Sequence, residues 1–165
     1  MQLPSSRLLF LLAFLGCAGI IAVALYLEHV VGLVPCPLCY VQRVAVILFG
    51  LACLLAILHN PAGLGQRIYA ALSTLAAGLG VAAAGRQIWL QGLPEDKLPA
   101  CLPSLDYMLE AFPIQDIISK MLHGTADCAE VTWTLLGLNL AEFSLIGFIL
   151  MLVLSVFIML RKAAD

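Results

Sequence analysis

Four cysteines stand where sulfur chemistry is possible. Cys36 and Cys39 form a Cys-x-x-Cys pair within Pro35-Cys36-Pro37-Leu38-Cys39, and Cys101 and Cys128 form a second, wider pair. Proline is favoured at the first helical position, so Pro37 predicts a helix with Cys36 as N-cap and Cys39 in its first turn. Unpaired N–H groups and the helix dipole at such a start favour a thiolate. Arg43 follows Cys39 by one turn on the same face and adds permanent positive charge. That is the setting of a redox-active dithiol.

Two other readings compete with it. A structural zinc site would need all four thiolates to converge at a membrane surface, and the Cys101/Cys128 pair lacks knuckle spacing. Structural disulfides account well for Cys101 and Cys128, since a staple constrains a long loop. They leave the reactive setting of Cys36 and Cys39 unexplained. Redox catalysis ranks first. Cys17 and Cys53 lie in the middle of apolar runs and read as packing residues.

The elements that position these cysteines follow from composition. Of 165 residues, 63% are hydrophobic and 11% charged, the net charge is −2 and the mean hydropathy +1.07. Too little polar surface exists to cover a globule in water. Disorder and nucleic-acid binding are excluded as well, since no basic run exists. Four apolar runs predict an all-α membrane protein, a bundle of four transmembrane helices over about 8–27, 40–58, 68–90 and 141–160. The whole chain reads as a single membrane domain with loops over about 28–39 and 91–139. No proline interrupts the four apolar runs. Arg7 followed by an apolar stretch and Ala22-Val23-Ala24 also resembles a cleavable signal peptide, but the run continues to span length.

Orientation follows from the basic residues. Arg7, Arg67, Arg161 and Lys162 fall on one side of an even number of spans, which places both termini in the cytoplasm. The two cysteine-bearing loops then face outward. Within the long loop, 113–122 has the pattern of a short amphipathic helix, suited equally to lying on the membrane surface or to packing on the bundle. In the third span Thr74, Gly78 and Ala82 repeat at four-residue spacing towards Arg86, a small-residue stripe suited to close packing.

Threading the spans brings Glu28, His29, Gln42, Arg43, Arg86, Gln87 and Glu142 to one depth beneath Cys36 and Cys39. Ionisable groups in a bilayer are costly and mark interior or functional positions. Glu28, His29 and Glu142 read as interfacial snorkelling residues. Arg43, and more weakly Arg86, are candidate donors to a lipid-soluble electron carrier. A quinone suits them, since its carbonyl oxygens need donors and its ring needs apolar walls. No pair of histidines within the spans offers haem ligation.

Cys36-x-x-Cys39 followed by Arg43, the wide second pair, and Cys128-Ala129-Glu130-x-x-Trp133-x-x-Leu136-Gly137-Leu138 together resemble the bacterial disulfide bond formation protein B family. The resemblance covers essentially the whole chain. One departure is Gln42, where the family often carries an acidic residue before the arginine. The resemblance implies a thiol:quinone oxidoreductase of the bacterial inner membrane, with its redox loops in the periplasm. It would use ubiquinone or menaquinone to reoxidise a thioredoxin-like dithiol oxidase, disulfide bond formation protein A. On this pattern the partner attacks a Cys101–Cys128 disulfide at Cys101, Cys128 attacks Cys36, and freed Cys39 passes electrons to a quinone beside Arg43. A partner as oxidising as about −120 mV needs an acceptor of this strength. A vitamin K epoxide reductase-like enzyme is the rival, but there Cys-x-x-Cys follows the loop pair. A membrane scaffold with structural disulfides is the non-enzymatic alternative.

Overall fold

The computed structural model describes residues 6–99, 110–131, 134–135 and 137–161. Four helices are long and apolar enough to cross a membrane: α1 (Ser6–His29), α2 (Pro37–His59), α3 (Leu64–Gln91) and α5 (Leu140–Leu160). Even α5, with 21 residues, is about 31 Å long at the rise of an α-helix, enough for the hydrocarbon core. Each span begins or ends within a few residues of the limits set by hydropathy. The protein is an all-α, multi-pass membrane protein.

The helices pack in a chain. α1 lies on α2, α2 on α3 and α3 on α5, while α1 and α5 scarcely meet. The bundle is therefore open along one side. Its core is built from Phe10, Val46, Phe49, Phe148 and Ile158 with many alanines between them, and leucines on the outer faces project outward. Lipid gives helices no hydrophobic reason to associate, so close packing of small residues and interhelical hydrogen bonds take over. Gln66 Nε2 donates to the Ile158 carbonyl at 3.3 Å and Thr74 Oγ1 to Ser155 Oγ at 3.0 Å, both joining α3 to α5. Cys17 and Cys53 are buried; Cys17 lies where α1 passes Gly50 of α2, and Cys53 faces Ser73.

The small-residue face of α3 differs from the expected one. Ser73, Ala77, Gly80, Ala84 and Gln87 are buried, whereas Ala82 is exposed and Gly78 has open space where a Cβ would project. A strict four-residue spacing advances about 40° per step around a helix of 3.6 residues per turn. Steps of three and four alternate along the face that stays against its neighbours. At Gly80 a Cβ would stand 2.1 Å from the Phe148 ring, so this glycine sets the approach of α5.

In the loop between α3 and α5, a 3₁₀ turn (Glu95–Lys97) precedes α4 (Ile114–His123), the amphipathic helix expected from the sequence. Ile117 is buried, while Ile114, Ile118 and Leu122 are exposed. A second 3₁₀ turn (Ala126–Cys128) and a two-strand hairpin, β1 (Thr134–Leu135) and β2 (Leu138–Asn139), lead into α5. Glu142 does not snorkel. It completes a capping box with Asn139, whose side chain accepts from the Glu142 N–H at 2.9 Å and whose own N–H reaches Glu142 Oε2 at 2.8 Å. Asn139 Nδ2 also donates to Gln91 Oε1 at 3.0 Å, tying the start of α5 to the end of α3.

Candidate functional site

Pro37 is the first residue of α2, with Cys36 as its N-cap in extended backbone. The turn this creates brings Cys36 Sγ and Cys39 Sγ to 2.8 Å. Both are free thiols. Cys36 also packs in one buried cluster with Cys128, and Cys39 lies against that cluster, so three sulfurs are brought together.

Cys128 is carried to that place by the backbone after α4. Gly124 has φ 73 and ψ 171, a region reserved almost wholly for glycine. A Cβ there would sit 2.6 Å from Leu90 and 2.9 Å from Leu38. The loop thus presses onto the bundle, and Cys36, Leu38, Ala83, Leu90 and Cys128 make one buried cluster. One N–H at the start of α2, that of Leu38, reaches Cys128.

Cys128 and Cys36 are electrostatically unequal. The Cys128 thiol is lowered to about 6, first by its contact with Cys36 and then by the N–H groups of Leu38 and Thr125 and the Thr125 hydroxyl, against the effect of burial. Cys36 is pushed up, because it donates to Cys128 and Cys39 and is buried. Proton bookkeeping therefore favours a Cys128 thiolate beside a Cys36 thiol.

Between α1 and α5 lies a cavity of about 530 Å³. Its polar end holds Cys36, Cys39, Gln42, Arg43 and Gln87, and its apolar length runs past Ile20, Phe148 and Met151. Arg43 sits at the polar end as expected, but its bonds differ from the expected ones. Nη1 pairs with Glu28 Oε2, and Nη2 donates to the Ala24 carbonyl at 3.3 Å. Glu28, taken as a snorkelling residue, is the partner that fixes Arg43. The donor to the sulfurs is Gln87, whose Nε2 lies 3.7 Å from Cys36 Sγ and 3.8 Å from Cys39 Sγ.

Arg86 does not join them. It lies outside the cavity lining, stacked 4.2 Å over Trp89, with Nε donating to the His123 carbonyl at 3.2 Å. His29 bonds the Leu25 carbonyl of its own helix. Cys101, Trp133 and Leu136 fall outside the described residues. Glu28, Gln42 and Gln87 were visible in the sequence as costly polar residues at one depth; their bonding partners were not, because these depend on which helices are neighbours.

The comparisons with known proteins agree with this geometry. Residues 6–158 match the family described as disulfide bond formation protein DsbB. The chain is 57% identical over 162 residues to disulfide bond formation protein B of Stutzerimonas stutzeri, covering 98% of this chain and 99% of that one. It is 56% identical to disulfide bond formation protein B 1 of Pseudomonas aeruginosa, over 99% of this chain and 100% of the relative. Identity to the Saccharophagus degradans protein of the same name is 44%, over 98% of each. The match along nearly its full length makes this four-span chain a member of the disulfide bond formation protein B family, a membrane oxidoreductase of disulfide bond formation.

Proposed function

We propose that the protein oxidises a periplasmic thioredoxin-like protein dithiol and delivers the electron pair to a membrane quinone held between α1 and α5. One observation carries this reading: Cys36 touches Cys128 on its loop side, while Cys36 and Cys39 open into a lipid-side cavity with donors at one end. The donor set fits a quinone. Arg43 and Gln42 stand at the polar end for carbonyl oxygens, and apolar side chains wall the rest. When bound, a quinone supplies an acceptor for two electrons and two protons.

The chain's own residues do the exchange. The partner's thiolate attacks a Cys101–Cys128 disulfide at Cys101, forming a mixed disulfide and releasing Cys128 as thiolate. Cys128 attacks Cys36 of a Cys36–Cys39 disulfide, forming Cys36–Cys128 and releasing Cys39 as thiolate. The partner's second thiol then displaces Cys101 and leaves as the oxidised protein. Cys101 attacks Cys128, restoring the loop disulfide and freeing Cys36. The pair Cys36 and Cys39, now carrying two electrons and two protons, is reoxidised at the cavity. The low pKa of Cys128 suits it both as leaving group and as nucleophile.

We place the protein in the bacterial inner membrane with both termini cytoplasmic. Arg7, Arg67 and Arg161 cluster at the end of the bundle opposite the cysteines, the arrangement of the positive-inside rule. The test is loss of quinone absorbance when the purified protein, a reduced thioredoxin-like oxidase and ubiquinone or menaquinone are mixed. Turnover is expected with all four loop cysteines present and none with Cys36→Ala. A scaffold with structural disulfides would give no turnover at all.

A further inference from the structure

Two buried amides lie beside the redox sulfurs, and the exchange chemistry above leaves the one that touches them, Gln87, without a task. Gln42 on α2 and Gln87 on α3 are each 7% exposed. Gln42 Nε2 donates to Gln87 Oε1 at 2.8 Å. A carboxamide has one acceptor end and one donor end, so holding the oxygen aims the NH₂ group away from Gln42. It is aimed at sulfur. Both sulfurs lie within reach of that one nitrogen, Cys36 Sγ at 3.7 Å and Cys39 Sγ at 3.8 Å. Arg43 makes its bonds elsewhere, from Nη1 to Glu28 and from Nη2 to the Ala24 carbonyl.

We propose that Gln87 is the hydrogen-bond donor that stabilises the Cys39 thiolate released during exchange, and that Gln42 is the positioning residue that fixes its amide. This rests on the reading of Cys36 and Cys39 as the redox pair. The chemistry favours a neutral donor here. An N–H group strengthens its bond to sulfur as negative charge develops, since bonds to charged acceptors are the stronger ones. A second cation beside Arg43 would add desolvation cost within the span. Contact with both sulfurs lets the amide follow the charge from Cys39 to Cys36 without moving.

The experiment measures thiolate directly. In the full-length, reduced Cys36→Ala protein in detergent, Cys39 modification by iodoacetamide is followed by peptide mass spectrometry across pH. Gln87→Met, which keeps the length but loses the donors, is expected to move the Cys39 midpoint up by about one pH unit, a tenfold loss of thiolate on the acidic side. Gln87→Glu keeps the shape and should move it further, because a carboxylate repels the thiolate. Gln42→Met should give a smaller shift in the same direction, and it carries the test should Gln87→Met fail to fold. Unmoved Cys39 midpoints in the folded variants would overturn the proposal. A role in packing alone predicts that Glu serves as well as Gln at position 87. The readout needs neither quinone nor partner, so failure of the quinone assay and failure of this proposal are separate results.

Discussion

Cys128 rests against Cys36 with no exposed surface of its own, although the two residues belong to different loops. Its lowered pKa has a direct consequence. A thiol with a pKa of about 6 is thiolate above that pH and loses tenfold in thiolate for each unit below it. In the reduced protein, alkylation of Cys128 should therefore level off above about pH 6, while an ordinary thiol keeps accelerating to about 8.5. Thr125→Val removes a hydroxyl 3.9 Å from the sulfur and should shift the midpoint slightly upward. A wild-type midpoint at the ordinary thiol value would contradict the contact with Cys36.

Gly124 is the hinge of that contact. Gly124→Ala forces a side chain into glycine-only backbone and against Leu38 and Leu90, at a cost of roughly 1–3 kcal/mol. The backbone strain falls on the loop, and the clash falls on one side chain at the outer end of each of α2 and α3. Hydrogen exchange should quicken across 124–128, and trapping of a Cys36–Cys128 disulfide by a mild oxidant should become less efficient. The unfolding temperature of the bundle should change little. Unchanged exchange in that segment would show that the loop can repack.

The corrected face of α3 separates two glycines only two positions apart. Gly78→Ala meets open space and should stabilise the helix by up to about 1 kcal/mol. Gly80→Ala drives a methyl into the Phe148 ring and should destabilise by roughly 1–3 kcal/mol. Thermal unfolding in detergent measures both. Equal effects would mean that α5 can slide along α3 without penalty.

These cases show what the sequence makes legible. Four spans, the start of α2 at Pro37 and the helix 114–123 follow from hydropathy, proline geometry and periodicity, all of which are local. The gap between α1 and α5 is not local. Both helices are apolar on every face, and lipid-facing and helix-facing leucines look alike in a sequence. The pairings Arg43–Glu28 and Gln87–Cys39 depend on that same arrangement. Residue types flagged them as costly; only the neighbours say what they bond. The capping box of Glu142 was readable in principle, since Asn139 stands three residues before it.

Arg86 offers a clean separation of the two ends of the relay. It holds the last carbonyl of α4 and stacks on Trp89, outside the cavity. Arg86→Leu should loosen α4 and slow the exchange between the loop and its dithiol partner by several-fold, the effect of losing about 1 kcal/mol. The apparent Michaelis constant for quinone should stay at its wild-type value. A raised constant would return Arg86 to the quinone site.

Arg43 makes the opposite prediction. It lines the polar end of the cavity within one turn of Cys39, and Glu28 and the Ala24 carbonyl hold it there. A hydrogen bond involving a charged group contributes about 1.5–3 kcal/mol, or one to two orders of magnitude in affinity. Arg43→Met keeps the apolar stem and loses the charge and every donor, leaving the Glu28 carboxylate without its partner. The apparent Michaelis constant for quinone should rise by that factor, while a reduced partner still exchanges with the loop cysteines in a single turnover. Arg43→Lys should recover only part of the loss, because a point charge lacks the planar fork that meets Glu28 and a carbonyl oxygen together. Quinone kinetics like the wild type in both variants would mean that Arg43 serves only to neutralise Glu28, and the donor to the quinone would have to come from the Gln42–Gln87 amides.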